Sequence, residues 1–276
     1  MNTISVGSSG TAVAILQQAL GTAGYGITKA DGSFGPGTQA VVEQFQTDKG
    51  LTPDGSAGPN TWSNFNIGPQ GLDVSHLNGQ MAWDSLAPNI QFAYIKATQG
   101  GGFQDPMYNT YLNAVTAQGL VKGVYHFLTF DTPAEDQANN FLSRGFDFSA
   151  PNTLPPAVDI EDQMTDAQNA YVAHNPHTCA QLITDWLTIV AEKTGRTPVI
   201  YTYKGFWNDT LGGPSGFGSY PLWLASYQTA TPGLPSGWSN YTLWQYYGAP
   251  DGVANNADIS LFGGSADDWK TFAQTA

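Results

Sequence analysis

From Gly71 onward, short apolar, β-branched runs alternate with stretches whose apolar residues recur every three or four positions, and this alternation confines the chain to a parallel β/α design. The runs predict strands at 72–75, 92–97, 123–127, 156–160, 198–203, 222–227, 242–246 and 257–260. Between the early strands, Tyr108, Tyr111, Leu112 and Val115 form one helical stripe, and Ala134, Ala138, Phe141 and Leu142 a second. Cys179, Leu182, Ile183, Trp186, Leu187 and Val190 form a third, and Gly119, Gly145 and Gly195 mark the three helix ends. Residues 205–241 are rich in Gly, Pro, Ser and aromatics and lack long stripes, so the last three strands follow one another with little helix between them. The expectation is an α/β fold, a TIM-like (β/α)5(β)3 barrel.

The fourth run, Ala157-Val158-Asp159-Ile160-Glu161, carries two acids two residues apart in an apolar strand. Successive strand residues point to opposite faces, so Asp159 and Glu161 share one direction while Val158 and Ile160 turn toward packing. The plain alternative is a strand end with two solvated acids. Paired carboxylates, however, are the working parts of glycoside hydrolysis. Barrels present functional residues at the carboxyl ends of their strands. That rule collects Asp73, Lys96 with Thr98, Tyr125 with Phe127, Asp159 with Glu161, Tyr201 with Tyr203, Tyr227, Gln245 and Asp258 at one mouth. An acidic, aromatic-lined cleft suits an uncharged sugar chain, because rings stack on sugar faces while carboxylates donate protons and accept hydrogen bonds.

The first seventy residues have another character. Asp31-Gly32-Ser33-Phe34-Gly35-Pro36-Gly37-Thr38 returns as Asp54-Gly55-Ser56-Ala57-Gly58-Pro59-Asn60-Thr61, offset by 23 residues. Asp-Gly-Ser makes a tight turn and Gly-Pro opens a helix with proline in its first position. Stripes at Ala12, Ile15, Leu16, Ala19 and Leu20, and at Thr38, Val41, Val42 and Phe45, give two helices, and Trp62 with Phe65 closes a short third. A small three-helix domain is therefore expected at 1–66, a linker at 67–70 and the barrel at 71–276.

The net charge of −13, with only nine Lys plus Arg and no cluster of them, opposes binding to nucleic acid or to an anionic membrane surface. No run approaches a membrane span, and the start has no signal-peptide pattern. Cys179 is the sole cysteine, so no disulfide forms within the chain. His174, His177 and Cys179 superficially offer zinc ligands, but Cys179 belongs to a helical stripe and His174-Asn175-Pro176 reads as the loop leading into that helix. No metal and no cofactor is expected, and a monomer is.

Two resemblances add to this reading. Leu16-Gln17-Gln18, Asp31 to Thr38, Val42 to Gln46, Gly50 to Gly55 and Gly58 to Trp62 resemble the peptidoglycan-binding domain type 1 family, which implies a role in holding the protein on cell-wall glycopeptide. Gly71-Leu72-Asp73-Val74-Ser75, Tyr94 to Gly100, Gly123 to Phe127, Val158 to Glu161, Pro198 to Thr202, Pro221 to Ala225, Leu243 to Tyr246 and Asp258 resemble glycoside hydrolase family 25 lysozymes. That family usually has Glu where this chain has Gln99.

The second resemblance implies a muramidase cutting the β-1,4 bond between N-acetylmuramic acid and N-acetylglucosamine of bacterial peptidoglycan, secreted or released to act on the wall. It implies Glu161 as general acid, kept protonated by the charges of Asp73, Asp159 and Asp258. Asp159 is either a nucleophile or the partner of the substrate's 2-acetamido group: same-face strand neighbours stand roughly 6.5 Å apart at Cα, and side-chain reach can carry the carboxyl separation to either side of the boundary between retaining and inverting spacings. Assistance by the acetamido group is the favoured version. Asp73 and Asp258 are expected to position sugar hydroxyls, and Lys96, Tyr125, Phe127, Tyr201, Trp223, Tyr227 and Gln245 to bind substrate. A wall-binding protein with a weak or dead barrel is the alternative.

Overall fold

The computed structural model describes residues 3–62, 64–65, 68–86, 90–227, 232–248 and 257–275. The amino-terminal domain holds α1 (Thr11–Thr22), α2 (Pro36–Asp48) and α3 (Pro59–Trp62). Leu16, Leu20, Val42, Phe45 and Trp62 form its core, with Phe65 stacked on Phe45 at 4.1 Å between ring centroids. The sequence repeat is a repeat of hydrogen bonding. Gln17 Nε2 is shared among Asp31 Oδ1, the Ser33 carbonyl and Thr38 Oγ1 at 2.8, 3.1 and 3.2 Å, and its Oε1 accepts Gly32 N–H at 2.9 Å. Gln46 does the same in the second copy: Nε2 reaches Asp54 Oδ1, the Ser56 carbonyl and Thr61 Oγ1, and Oε1 accepts Gly55 N–H at 2.9 Å. Gly32 and Gly55 both have positive φ, 71° and 69°, so each Asp-Gly-Ser turn requires glycine at its centre.

The remaining strands are β1 (Gln70–Val74), β2 (Ile90–Gln99), β3 (Phe103–Gln104), β4 (Val121–Phe127), β5 (Ala157–Asp159), β6 (Val199–Tyr203), β7 (Leu222–Ala225), β8 (Leu243–Tyr247) and β9 (Asp258–Phe262). Eight of them close a barrel in the order β1-β2-β4-β5-β6-β7-β8-β9 and back to β1. The two-residue β3 only folds back on the end of β2. β9 runs antiparallel to both its neighbours, while the other barrel contacts are parallel. A parallel return needs a crossover of a dozen or more residues. Tyr247 and Asp258 are separated by too short a stretch for one.

Helical structure follows each of the first five barrel strands. It consists of 3-10 turns after β1, α4 (Tyr108–Ala117), α5 (Ala134–Leu142), then α6 (Asp166–His174) with α7 (Pro176–Thr194), and a π-turn at Phe206–Thr210 after β6. α6 was not foreseen, because its apolar residues make no stripe; among them only Val172 is buried. A last helix, α8 (Ala266–Ala273), closes the amino-terminal end of the barrel: Trp269 packs on Phe92 and Phe262, and Arg196 donates to the Phe272 carbonyl at 2.6 Å and the Thr153 carbonyl at 2.9 Å.

Strand alternation sorts the barrel as the sequence pattern requires. Phe92, Tyr94, Tyr125, Ala157, Val199, Tyr201, Trp223 and Leu243 fill the interior, while Val74, Ile95, Val124, Val158, Ile160, Ile200 and Leu224 pack outward with the helices. Small residues make room for the large interior rings. A Cβ on Gly71 would fall 2.2 Å from the Phe92 ring, and one on Gly123 2.5 Å from the Tyr94 ring. Of the expected linker, residue 67 lies outside the described residues. Pro69 already accepts the Phe262 N–H at 2.9 Å and Gln70 belongs to β1, so this stretch is packed rather than spanning open space. The first Asp-Gly-Ser turn also meets the barrel: a Cβ on Gly32 would lie 3.2 Å from the ring of Tyr247, at the end of β8.

Candidate active site

The carboxyl ends of β1, β2, β4, β5, β6, β7 and β8 deliver Asp73, Lys96, Tyr125 with Phe127, Asp159 with Glu161 just beyond, Tyr201, Tyr227 and Gln245 to one mouth. Because β9 runs the other way, its first residue, Asp258, reaches the same end and is the direct register partner of Asp73. Four acids thus gather where barrel chemistry is found. Asp159 stands between Phe127 and Tyr201 in the sheet register.

Gln245 organises one half of the mouth. Its Nε2 donates to Asp73 Oδ2 at 2.7 Å, and its Oε1 accepts the hydroxyls of Tyr201 at 2.9 Å and Tyr227 at 2.5 Å. Lys96 organises the other half. Its Nζ donates to Gln99 Oε1 at 2.8 Å and lies 4.7 Å from the centre of the Phe127 ring. A β-bulge explains that contact. Lys96 pairs with Tyr125 but Thr98 pairs with His126, so β2 carries one extra residue against β4. The bulge brings Gln99 round to the interior beside Lys96.

The same bulge corrects the placing of Thr98. It was expected at the mouth, but it faces outward, where its Oγ1 meets His126 Nδ1 at 2.7 Å. His126 Nε2 faces Gln137 Oε1 at 3.1 Å, and the Gln137 amide is oriented by donating to the Thr129 and Thr132 carbonyls. Burial pushes the His126 imidazole down to about 3, so it is a neutral core group outside the site.

The electrostatics follow from burial. Both Asp73 and Asp159 are held well above the usual carboxyl range, in each case first by loss of solvent. Asp73 is raised further by Asp258 and Glu161 and eased by the Gln245 amide, while Asp159 is raised by Glu161 and Asp73 and eased by the Lys96 charge. Burial lowers Lys96, against the pull of Asp159, Asp105 and Glu161. Asp159 is buried, and among the described residues its Oδ1 has no hydrogen-bond partner. Buried carboxylate oxygens without a donor are costly, and such an atom at a barrel mouth is placed to receive one. Acids that raise one another's proton affinity can keep a proton near neutrality for donation.

The expected aromatics divide by depth. Tyr227 is 45% exposed at the rim, while Tyr125, Phe127 and Tyr201 are nearly covered. Trp223 lies one layer below: its ring stacks on Tyr94 at 4.7 Å, and its indole N–H donates to Ser260 Oγ at 2.9 Å. Two features of the rim escaped the sequence reading. Buried Asp105 binds His76, and Tyr203 Oη donates to Asp162 Oδ2 at 2.5 Å beside Glu161. Of the candidate zinc ligands, His174 ends α6 as an exposed residue, His177 is exposed on α7 and Cys179 points into the core; they do not converge.

Known proteins share this fold. Residues 72–251 match the glycosyl hydrolases family 25 model, and residues 9–63 match a peptidoglycan binding domain model. The chain is 34% identical to Lysozyme M1 of Streptomyces globisporus over 84% of this chain and 80% of that protein. It superposes on the Streptomyces coelicolor bacterial lysozyme with TM-score 0.68 at 32% identity, covering 75% of this chain and 98% of that one. A family 25 lysozyme from Aspergillus fumigatus gives TM-score 0.66 at 30% identity, covering 74% and 98%. With its barrel, its four gathered acids and a family match spanning most of the chain, the protein belongs to glycosyl hydrolases family 25 and carries a peptidoglycan-binding domain ahead of the catalytic barrel.

Proposed function

We propose that the chain is a muramidase that hydrolyses the β-1,4 bond between N-acetylmuramic acid and N-acetylglucosamine in bacterial peptidoglycan, working outside the cell that makes it. The amino-terminal domain keeps it on the wall. The observation that carries the residue assignment is the buried Asp159 carboxylate, whose Oδ1 lacks a partner among the described residues and whose proton affinity is raised by the neighbouring Glu161.

In this reading Glu161 donates its proton to the leaving glycosidic oxygen. The carbonyl oxygen of the substrate's own 2-acetamido group attacks the anomeric carbon as that bond breaks, and Asp159 accepts the acetamido N–H. Water then opens the resulting ring and gives its proton to the Glu161 carboxylate, so the enzyme is restored and the anomeric configuration is retained. Asp73, fixed by Gln245, and Asp258 hold sugar hydroxyls, and Asp73 and Asp159 share an electrostatic field with Glu161. Lys96, Tyr125, Phe127, Tyr201 and Tyr227 line the sugar path, with Trp223 as floor beneath it.

The test is digestion of purified peptidoglycan with mass identification of the products. New reducing ends on N-acetylmuramic acid support the reading; free peptide amines contradict it. Glu161→Gln is expected to lower turnover about 10²- to 10⁴-fold, the range of a general acid. A covalent glycosyl adduct on Asp159 would replace assistance by direct attack.

A further inference from the structure

On the rim beside β1 and β2 stands a histidine oriented by a buried acid, and the mechanism does not use it. Asp105 is fully covered at its side chain. Its Oδ2 takes His76 Nδ1–H at 2.8 Å and His76 N–H at 3.0 Å, and its Oδ1 takes Met107 N–H at 2.9 Å. The carboxylate fixes the ring and its tautomer: Nδ1 carries the inward proton, and Nε2 is the remaining polar atom. A third of the His76 side chain is exposed, away from that buried carboxylate. Its ring lies 5.4 Å from that of Phe103, which is 42% exposed, and the neighbouring Leu77 is 61% exposed.

The patch adjoins the candidate active site. Phe103 is the register partner of Gln99, whose side chain holds Lys96. Of the four histidines, His126 is buried behind β4 and His174 and His177 lie about the α6–α7 junction, which leaves His76 as the histidine of the mouth loops. Exposed apolar side chains around one oriented polar atom form a binding surface rather than a core remnant.

The geometry points to a second substrate-binding site here, for the peptide stem that branches from the glycan: His76 Nε2, the acceptor of a ring whose proton sits on Nδ1, takes an amide N–H of the stem, and Phe103 and Leu77 take its alanine methyl groups. The choice of peptide over a further sugar rests on chemistry. A glycan is served by the acids and tyrosines within the mouth, whereas a side branch must leave over the rim. A peptide backbone also offers a series of amide N–H donors, which suit an acceptor nitrogen flanked by two exposed apolar side chains. The inference rests on the muramidase reading.

The experiment compares kcat/KM on peptide-bearing peptidoglycan fragments with that on the same glycan chains freed of peptide, for the wild type, His76→Ala, Phe103→Ala and Leu77→Ala. The wild type is expected to prefer the peptide-bearing substrate. Each variant should reduce that preference about fivefold through KM, the size of a modest contact loss. The exposed positions Phe103 and Leu77 guard against a misfolded His76 variant. A preference unchanged in Phe103→Ala and Leu77→Ala, or no preference in the wild type, overturns the inference. A wild type that cuts neither substrate overturns the muramidase reading itself.

Discussion

Gln245 and Asp73 are joined by a single hydrogen bond of fixed sense: the amide Nε2 donates to the carboxylate Oδ2 at 2.7 Å because the amide Oε1 is already occupied by the hydroxyls of Tyr201 and Tyr227. The tyrosines therefore determine which end of the amide faces the acid. Gln245→Glu keeps the shape and both tyrosine contacts but replaces the donor with a second anion. Such a substitution is expected to lower kcat about 100-fold with a smaller effect on KM, as for loss of one oriented polar contact at a reacting centre. Steady-state kinetics with circular dichroism as a folding control checks it, and unchanged kcat would remove Gln245 from the positioning scheme.

Asp73 carries a stability penalty that should be measurable. Folding raises its proton affinity, so between about pH 3.9, the unfolded value, and its raised folded value the native state holds more protons than the unfolded one. Stability contributed by this group is then greatest below that window and falls as pH rises through it. Asp73→Asn removes the ionisation and still accepts from Gln245. The variant is expected to melt higher than wild type at pH 7, by about 1.4 kcal/mol for every tenfold rise in proton affinity on folding, and to lose that advantage below about pH 4. Calorimetry at both pH values decides, and a variant that melts lower at pH 7 would refute the argument.

Gln99 tunes the charge on Lys96. A neutral acceptor at 2.8 Å leaves the ammonium to compensate Asp159 and Glu161. Gln99→Glu places an anion on the same atom, which strengthens proton binding at Lys96 and, by repulsion, at the neighbouring acids. The alkaline limb of the pH–activity profile is expected to move upward, and moderate salt should shrink the displacement. An unmoved limb would mean that Lys96 does not communicate with the reacting acids.

What could be read from the sequence was what strand alternation controls. The common direction of Asp159 and Glu161, the outward packing of Val158 and Ile160, and the convergence of Asp73 and Asp258 all follow from a period of two and eight strands. The failures sit where that period is broken. The bulge at Lys96/Thr98 sends Thr98 out and Gln99 in, and an inserted residue leaves no mark in hydrophobic patterning. Alternation puts Trp223 inside the barrel, but its depth is set by the Ser260 and Tyr94 contacts, which join β7 to β9 and β2. The His76–Asp105 pair spans 29 residues of sequence, and neither residue stands in a strand. α6 escaped because it is nearly all solvent-facing.

The amino-terminal repeat offers the sharpest test of a structural reading, because one atom exchange in Gln46 reverses its role. Its Nε2 supplies protons to Asp54 Oδ1, the Ser56 carbonyl and Thr61 Oγ1, while Oε1 receives Gly55 N–H. Gln46→Glu is isosteric, keeps the Gly55 contact and turns the donor into an oxygen facing the Asp54 carboxylate and a carbonyl. The exposed Asp54 carboxylate and the half-buried Ser56 carbonyl lose their donor and two anions meet, so the domain should lose about 1–3 kcal/mol at pH 7, the scale of a hydrogen bond to a charged group. Asp54 is held below its usual range first by the Ser56 N–H and then by this amide. At pH 4 the substituted carboxyl, once protonated, can donate to Asp54, and the deficit should be smaller there than at pH 7. Binding to insoluble peptidoglycan at the two pH values, followed by pelleting, provides the readout: weakened retention at pH 7 with partial recovery at pH 4 is expected. Because the same bonds are made by Gln17 in the other copy, Gln17→Glu should behave alike; a variant of either glutamine that binds and melts as wild type would show that the Asp-Gly-Ser turns hold without their amides.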